Sequence, residues 1–125
     1  RTLQRAQALA ADFNGTPGKV VAAAWEHLCR SCCQAIINCT PIGMHPKVDA
    51  SPVPAEFAFV PGTTVFDTVY NPLETRLLKQ AKEQGATTVT GMEMFVRQAA
   101  IQFKAFTGEE APVEVFRRVM GERLG

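Results

Sequence analysis

The residues best suited to chemistry at first sight are the sulfur and imidazole groups: Cys29, Cys32, Cys33 and Cys39, with His27 and His45 close by. Cys29-x-x-Cys32 has the local spacing of a zinc or dithiol site. A closed zinc site needs a second pair at similar spacing, and none follows. Cys39 instead falls in a run that reads as a strand. Reduced, partly buried cysteines in a cytosolic protein are therefore the expectation, with no metal, and a cysteine-based metal or redox module is the alternative.

A second set of residues suits ligand binding. Arg1 and Arg5 lie four apart at the start of a helical pattern, so both can face one anion, or both can be solvated. Thr2 between them is placed to cap the helix or to offer a hydroxyl. Asn38, Cys39 and Thr40 end an apolar run. Thr40 and the backbone after it either line a ligand site at a strand end or form an ordinary exit to a loop. Asp67 lies inside a strand and must be hydrogen-bonded or paired to be buried there. Tyr70, the only tyrosine, follows that strand. Gly91 opens a helix and permits close approach to its backbone. Gln98 shares a helical face with Met94 and Phe95, as a satisfied core amide or as a ligand contact.

These residues need elements to hold them. Leu3, Ala6, Leu9, Ala10 and Phe13 recur at helical spacing, with Asn14-Gly15 as a stop. Lys19 to Trp25 reads as a strand. Gln34 to Thr40 is a clearer one, halted by Pro41-Ile42-Gly43. Met44 to Phe59 carries Pro46, Pro52 and Pro54 and reads as a long loop, with one helical turn near Ala55 to Phe57. Thr63 to Val69 is continuous enough for a strand buried on both faces. Leu73 to Gln84 is a helix with Leu77, Leu78 and Ala81 inward and Gly85 at its end. A short strand at Thr87 to Thr90 precedes a helix from Gly91 to Phe106, patterned by Met94, Phe95, Gln98, Ala99, Gln102, Phe103 and Phe106. Pro112 opens a last helix over Val113 to Leu124. This alternation predicts an α/β fold with a parallel sheet and crossover helices.

Composition is ordinary for a globular chain of 125 residues: 46% hydrophobic and 20% charged, with a net charge of +1. That balance offers no electrostatic grip on nucleic acid or an anionic membrane. No apolar run reaches the roughly 18 residues that suggest a membrane span. The chain opens on a helix, without the strand and glycine-rich turn that begin a doubly wound domain, so a preceding segment is expected.

Four segments together resemble one family. Arg1-Thr2-x-x-Arg5-Ala6-x-x-Leu9-Ala10 is similar to the end of the Asn-Arg-Thr motif that follows the second Rossmann strand of shikimate dehydrogenases. Asn38-Cys39-Thr40-Pro41-Ile42-Gly43-Met44 resembles their Asn-x-Thr-x-x-Gly-Met segment. Asp67-Thr68-Val69-Tyr70-Asn71-Pro72, with Thr75 after it, resembles Asp-x-x-Tyr-x-Pro. Gly91-Met92-Glu93-Met94-Phe95-Val96-Arg97-Gln98-Ala99 resembles Gly-x-x-Met-Leu-x-x-Gln-Ala. The Pro46-Lys47-Val48-Asp49 loop is similar to the version in proteins fused to dehydroquinate dehydratase.

The resemblance implies an incomplete Rossmann-like, doubly wound parallel sheet with C-terminal helices. Residues 1–125 would be the NADP-binding portion of a cytoplasmic shikimate dehydrogenase, without its N-terminal substrate domain or glycine-rich turn. It implies NADPH-dependent reduction of 3-dehydroshikimate to shikimate, in aromatic amino acid biosynthesis. NADP contacts would come from Arg1, Thr2, Arg5, Thr40, Thr68, Gly91 and Met94, with the arginines on the 2′-phosphate. Thr68 stands where the family often has Met, so its backbone is the expected contact. Tyr70 and Gln98 would meet shikimate, although Tyr70 can equally pack under its loop. No catalytic residue is expected here, since the family's proton-handling Lys and Asp belong to the missing domain. An NAD-dependent quinate/shikimate dehydrogenase is the alternative. The portion alone should be inactive, and its uncovered sheet edge should favour self-association.

Overall fold

Hydrogen-bonded pairing, more than apolar content, decides which of these segments become strands. The computed structural model describes residues 2–13, 15, 17–24 and 33–124. Strands β1 (Ala35–Asn38), β2 (Thr64–Asp67) and β3 (Thr87–Val89) form one parallel sheet in the order β1-β2-β3. The register aligns Ile36 with Val65 and Val65 with Thr88. The helices are α1 (Leu3–Asp12), α2 (Arg76–Glu83), α3 (Gly91–Thr107) and α4 (Val113–Leu124). Among the described residues, no helix is long and apolar enough to cross a membrane.

The core lies between α2, one face of the sheet and the loop from β1 to β2. Leu77, Leu78 and Ala81 are buried against Val65, with Val53, Phe57 and Phe59 from the loop. Each fully buried Leu, Val or Phe contributes about 1.5–3 kcal/mol of transfer free energy. The long loop is held by side chains of α2. Gln84 accepts from the Phe59 N–H at 2.9 Å and donates to the Phe57 carbonyl at 3.0 Å. Ser51 donates to Gln80, and Arg76 donates to the Asp49 carbonyl. Near Ala55 the loop makes a single hydrogen-bonded turn in place of the anticipated helical one, with the Phe57 N–H on the Pro54 carbonyl.

Two expectations about strands need correction. Lys19 to Ala24 is not a strand, and Trp25 lies outside the described residues. A strand exists only in a ladder, and this segment pairs with none of the three strands of the sheet. Val20 to Ala23 instead border a shallow cavity with Ala6, Leu9, Ala10 and Phe13 of α1. β2 is also not sealed on both faces. Val65 and Asp67 are fully buried, but Thr64 and Phe66 on the opposite face are only half-buried. Ile37, in register with Phe66 on that face, is 58% exposed.

Helices α3 and α4 form a pair. Phe103 meets Phe116 edge-on at 6.0 Å, and Arg117 forks onto both carboxylate oxygens of Glu93 at 2.9 and 3.0 Å. Burial on α3 follows Phe95, Val96, Ala99 and Phe103, leaving Met94, Gln98, Gln102 and Phe106 exposed. Gly108, at φ +77°, ends α3 with its N–H on the Lys104 carbonyl. A left-handed C-terminal residue favours glycine there.

Candidate functional site

The carboxyl ends of β1 and β2 diverge around a groove of about 360 Å³. Its walls are Cys39, Thr40 and Pro41 after β1, and Thr68, Val69, Tyr70 and Asn71 after β2. Met44 and His45 close one side. Ligands in open α/β sheets bind outside the carboxyl ends of the strands, so the groove lies where the chemistry of such folds is placed.

The strand exits are shaped by a buried polar network. Asp67 accepts from the Asn38 amide at 2.9 Å, the Val69 N–H at 3.0 Å and the Thr75 hydroxyl at 2.6 Å. Asn38 and Thr75 are also buried, and no buried side-chain polar atom among the described residues lacks a partner. The requirement that Asp67 be hydrogen-bonded is therefore met. Thr75 is also the N-cap of α2, accepting from the Leu78 N–H at 3.4 Å. That dual use explains why α2 starts at Arg76 and not at Leu73.

The two threonines of the groove already use their hydroxyls. Thr40 donates to Asn38 Oδ1 at 2.7 Å and accepts from the Ile42 N–H at 3.3 Å. Thr68 donates to the Asn38 carbonyl at 2.9 Å. Both can therefore meet a ligand through backbone and methyl groups without breaking a turn. Gly91 has a structural reason of its own. A Cβ there would lie 2.4 Å from the Val69 carbonyl oxygen and 2.6 Å from that of Thr68. The close approach is made by the chain leaving β2, so Gly91 fixes α3 against the back of the groove.

Tyr70 is 40% exposed and its ring rests on Phe95 of α3, with centroids 5.1 Å apart. The aromatic contact leaves Tyr70 part-exposed on the groove wall. Met94 and Gln98 lie exposed on α3, one and two turns beyond Gly91, and neither is part of the groove wall. Thr2 is at the N-cap of α1, but its hydroxyl makes no cap hydrogen bond. Its carbonyl instead accepts from the N–H groups of Arg5 and Ala6. Arg5 is exposed, and Arg1 lies outside the described residues. The structure thus gathers Thr40, Thr68 and Tyr70 with Gly91 behind them, and leaves Thr2 and Arg5 on α1.

Sequence reasoning missed Met44, His45 and Phe95 at the site and the pairing of Asn38 with Asp67. That last contact follows from register, because the two residues are partners on adjacent strands. Cys33 is half-buried and Cys39 exposed; Cys29, Cys32 and His27 lie outside the described residues. Among the described residues, no group of three or more His, Cys, Asp and Glu side chains is placed to hold a metal.

A parallel sheet with the crossover helix α2 between β2 and β3 and a groove at its carboxyl edge defines a Rossmann-like α/β unit. The family described as the Shikimate 5'-dehydrogenase C-terminal domain matches residues 91–120. The chain is 46% identical to a shikimate dehydrogenase (NADP(+)) of Methanosarcina acetivorans, covering 99% of this chain and 45% of that protein. Shikimate 5-dehydrogenase of Thermus thermophilus, solved with NADP(H) and shikimate, is 34% identical, with a TM-score of 0.81 over 98% of this chain and 43% of that one. Quinate dehydrogenase of Corynebacterium glutamicum, solved with NAD, is 32% identical, with a TM-score of 0.73 over 93% of this chain and 42% of that one. The chain belongs to the shikimate dehydrogenase family and corresponds to its C-terminal region. It spans less than half the length of these relatives.

Proposed function

We propose that this chain forms the cofactor-side portion of a cytoplasmic, NADP-dependent shikimate dehydrogenase, completed by an N-terminal substrate domain. The reaction is NADPH plus 3-dehydroshikimate plus a proton giving NADP⁺ plus shikimate. The observation that carries the reading is the groove bringing Thr40, Thr68 and Tyr70 together at the carboxyl edge of the sheet.

The residues present fit a dinucleotide in a defined way. The strand exits offer backbone and methyl surface, since their hydroxyls are committed to Asn38. Backbone and methyl surface of this kind suits the nicotinamide end, and Met94 would reach it from α3. Arg1, Thr2 and Arg5 would hold the 2′-phosphate, a role that guanidinium groups take in NADP-binding folds. Tyr70 and Gln98 would orient the substrate through hydrogen bonds. When bound, the nicotinamide supplies the hydride, and the proton is handled by the Lys and Asp of the N-terminal domain.

The outer edge of β1 is where the first strands of a complete Rossmann sheet would pair. Gln34 and Asn38 accept from the N–H groups of Thr64 and Thr68, so Ala35 and Ile37 direct their backbone groups away from β2. Unpaired edges of this kind recruit partners, so the 125-residue chain by itself would self-associate there. The function is tested by NADPH oxidation in the intact protein, dependent on 3-dehydroshikimate. Arg5→Glu should raise the KM for NADPH and leave that for NADH unchanged. A preference for NADH in the unsubstituted protein would instead favour the activity named for the Corynebacterium neighbour.

A further inference from the structure

Asp67 is the only buried acidic or basic side chain among the described residues, at 0% exposure. Its three hydrogen bonds come from three different elements. Asn38 ends β1, Val69 belongs to the chain leaving β2, and Thr75 caps α2. Every one of these contacts is donated to Asp67, so the site suits a group that only accepts.

The constraint passes on to the groove. Asn38 Oδ1 accepts from both the Thr40 N–H, at 3.0 Å, and the Thr40 hydroxyl, at 2.7 Å. Its amide nitrogen also donates to the Ile42 carbonyl at 3.3 Å. On the other wall, the Val69 N–H is bound directly, and the Val69 carbonyl is the atom that closes on Gly91. Asn38 and Asp67 are the last register pair of β1 and β2. Beyond them Thr68 still bonds the Asn38 carbonyl through its N–H and its hydroxyl, and the carboxylate ties both exits to α2.

We propose that Asp67 is a positioning residue for the dinucleotide site, fixing the distance between the Thr40 turn and the Thr68–Val69 exit, with Thr75 orienting it from α2. The proposal rests on the dinucleotide reading of the groove. An amide at position 67 would face at least one of the three donors with a donor of its own. Turning the Thr75 hydroxyl away would cost its hydrogen the acceptor it has in a fully buried place, so the amide oxygen faces Thr75 and the amide NH2 faces Asn38 and Val69. The mismatch would therefore be relieved by opening the groove walls.

The test uses the intact protein with Asp67→Asn, Thr75→Val and Thr75→Ser, each confirmed folded at the assay temperature by circular dichroism. Two readouts are taken: the KM and kcat for NADPH, and amide hydrogen exchange at Thr40 and Val69. Asp67→Asn and Thr75→Val should raise the KM roughly tenfold, the scale of one lost hydrogen bond to a charged group. The change in kcat should be smaller, exchange at Thr40 should speed up, and Thr75→Ser should restore both readouts. Folded Asp67→Asn and Thr75→Val proteins with unchanged KM and unchanged Thr40 exchange would overturn the proposal. If the unsubstituted protein does not use NADPH, the dinucleotide reading fails by itself. The exchange data then decide: unchanged Thr40 exchange rejects the coupling, and faster exchange reversed by Thr75→Ser upholds it.

Discussion

The region around α2 and the region around α1 start from similar sequence patterns and end very differently. Both helices carry apolar residues at three- and four-residue spacing. In α2, Leu77, Leu78 and Ala81 are buried against a sheet and a loop. In α1 nothing is buried, and Leu3, Leu9 and Phe13 remain substantially exposed. The difference lies in what each helix has to cover. α2 follows β2 and folds back on the sheet, whereas among the described residues α1 borders the Val20 to Ala23 segment, which joins no strand. Periodicity specifies a face, and stability comes from the partner of that face.

The contrast can be broken most forcefully in the core. Leu77→Ala should destabilise the chain by about 2–5 kcal/mol, as large-to-small changes at buried leucines do. Leu9→Ala in α1 should cost under about 1 kcal/mol, because an exposed side chain has little burial to lose. Urea titrations of both variants measure the comparison directly, and equal losses would refute it.

A second, intermediate effect belongs to Gly91. Alanine there must displace the Thr68–Val69 backbone, at a cost of about 1–3 kcal/mol for overpacking. Gly121, where an added Cβ meets nothing within 4 Å, serves as the matched control in α4. Gly121→Ala should be neutral or slightly stabilising by helix propensity. Thermal melts of the two variants should therefore move in different directions.

The smallest effect concerns the α3–α4 contact. The hydrogen bonds from Arg117 hold the Glu93 carboxyl below its usual range, against an opposing contribution from its partial burial. The charge interactions with Arg117 and Arg97 act in the same sense as the hydrogen bonds. Glu93 therefore adds stability above the unfolded carboxylate pKa of about 4.3, and that contribution fades as pH falls through its lowered folded value. Both partners are about one-third exposed, so the effect is small. Glu93→Gln should slightly lower the melting temperature near neutrality and leave less acid-induced loss below pH about 4. An identical acid limb in both proteins would remove the pair from the account.

Much of the sheet and all four helices were legible because their signals are local. Gly85 and Pro112 punctuate the helices, and β-branched runs mark β1 and β2. Lys19 to Ala24 was misread because a strand needs a neighbour, which no local pattern reports. The outward face of α3 was hard to read for a related reason. Met94, Phe106 and Val96 are all apolar, yet only Val96 is buried. Of the site, Thr40, Thr68 and Tyr70 were legible from motifs at strand ends. The network that organises them was not, because Asn38, Asp67 and Thr75 meet only once strand register and the position of α2 are known.

The central claim is that this chain holds one side of a dehydrogenase site and needs another domain to act. The most direct measurement is NADPH oxidation with 3-dehydroshikimate, by the 125-residue chain and by the same chain extended with its N-terminal domain. The extended protein should turn over and prefer NADPH to NADH, while the chain alone should show neither turnover nor micromolar NADPH affinity. Turnover by the chain alone, or a folded extended protein inert toward 3-dehydroshikimate, would contradict the account.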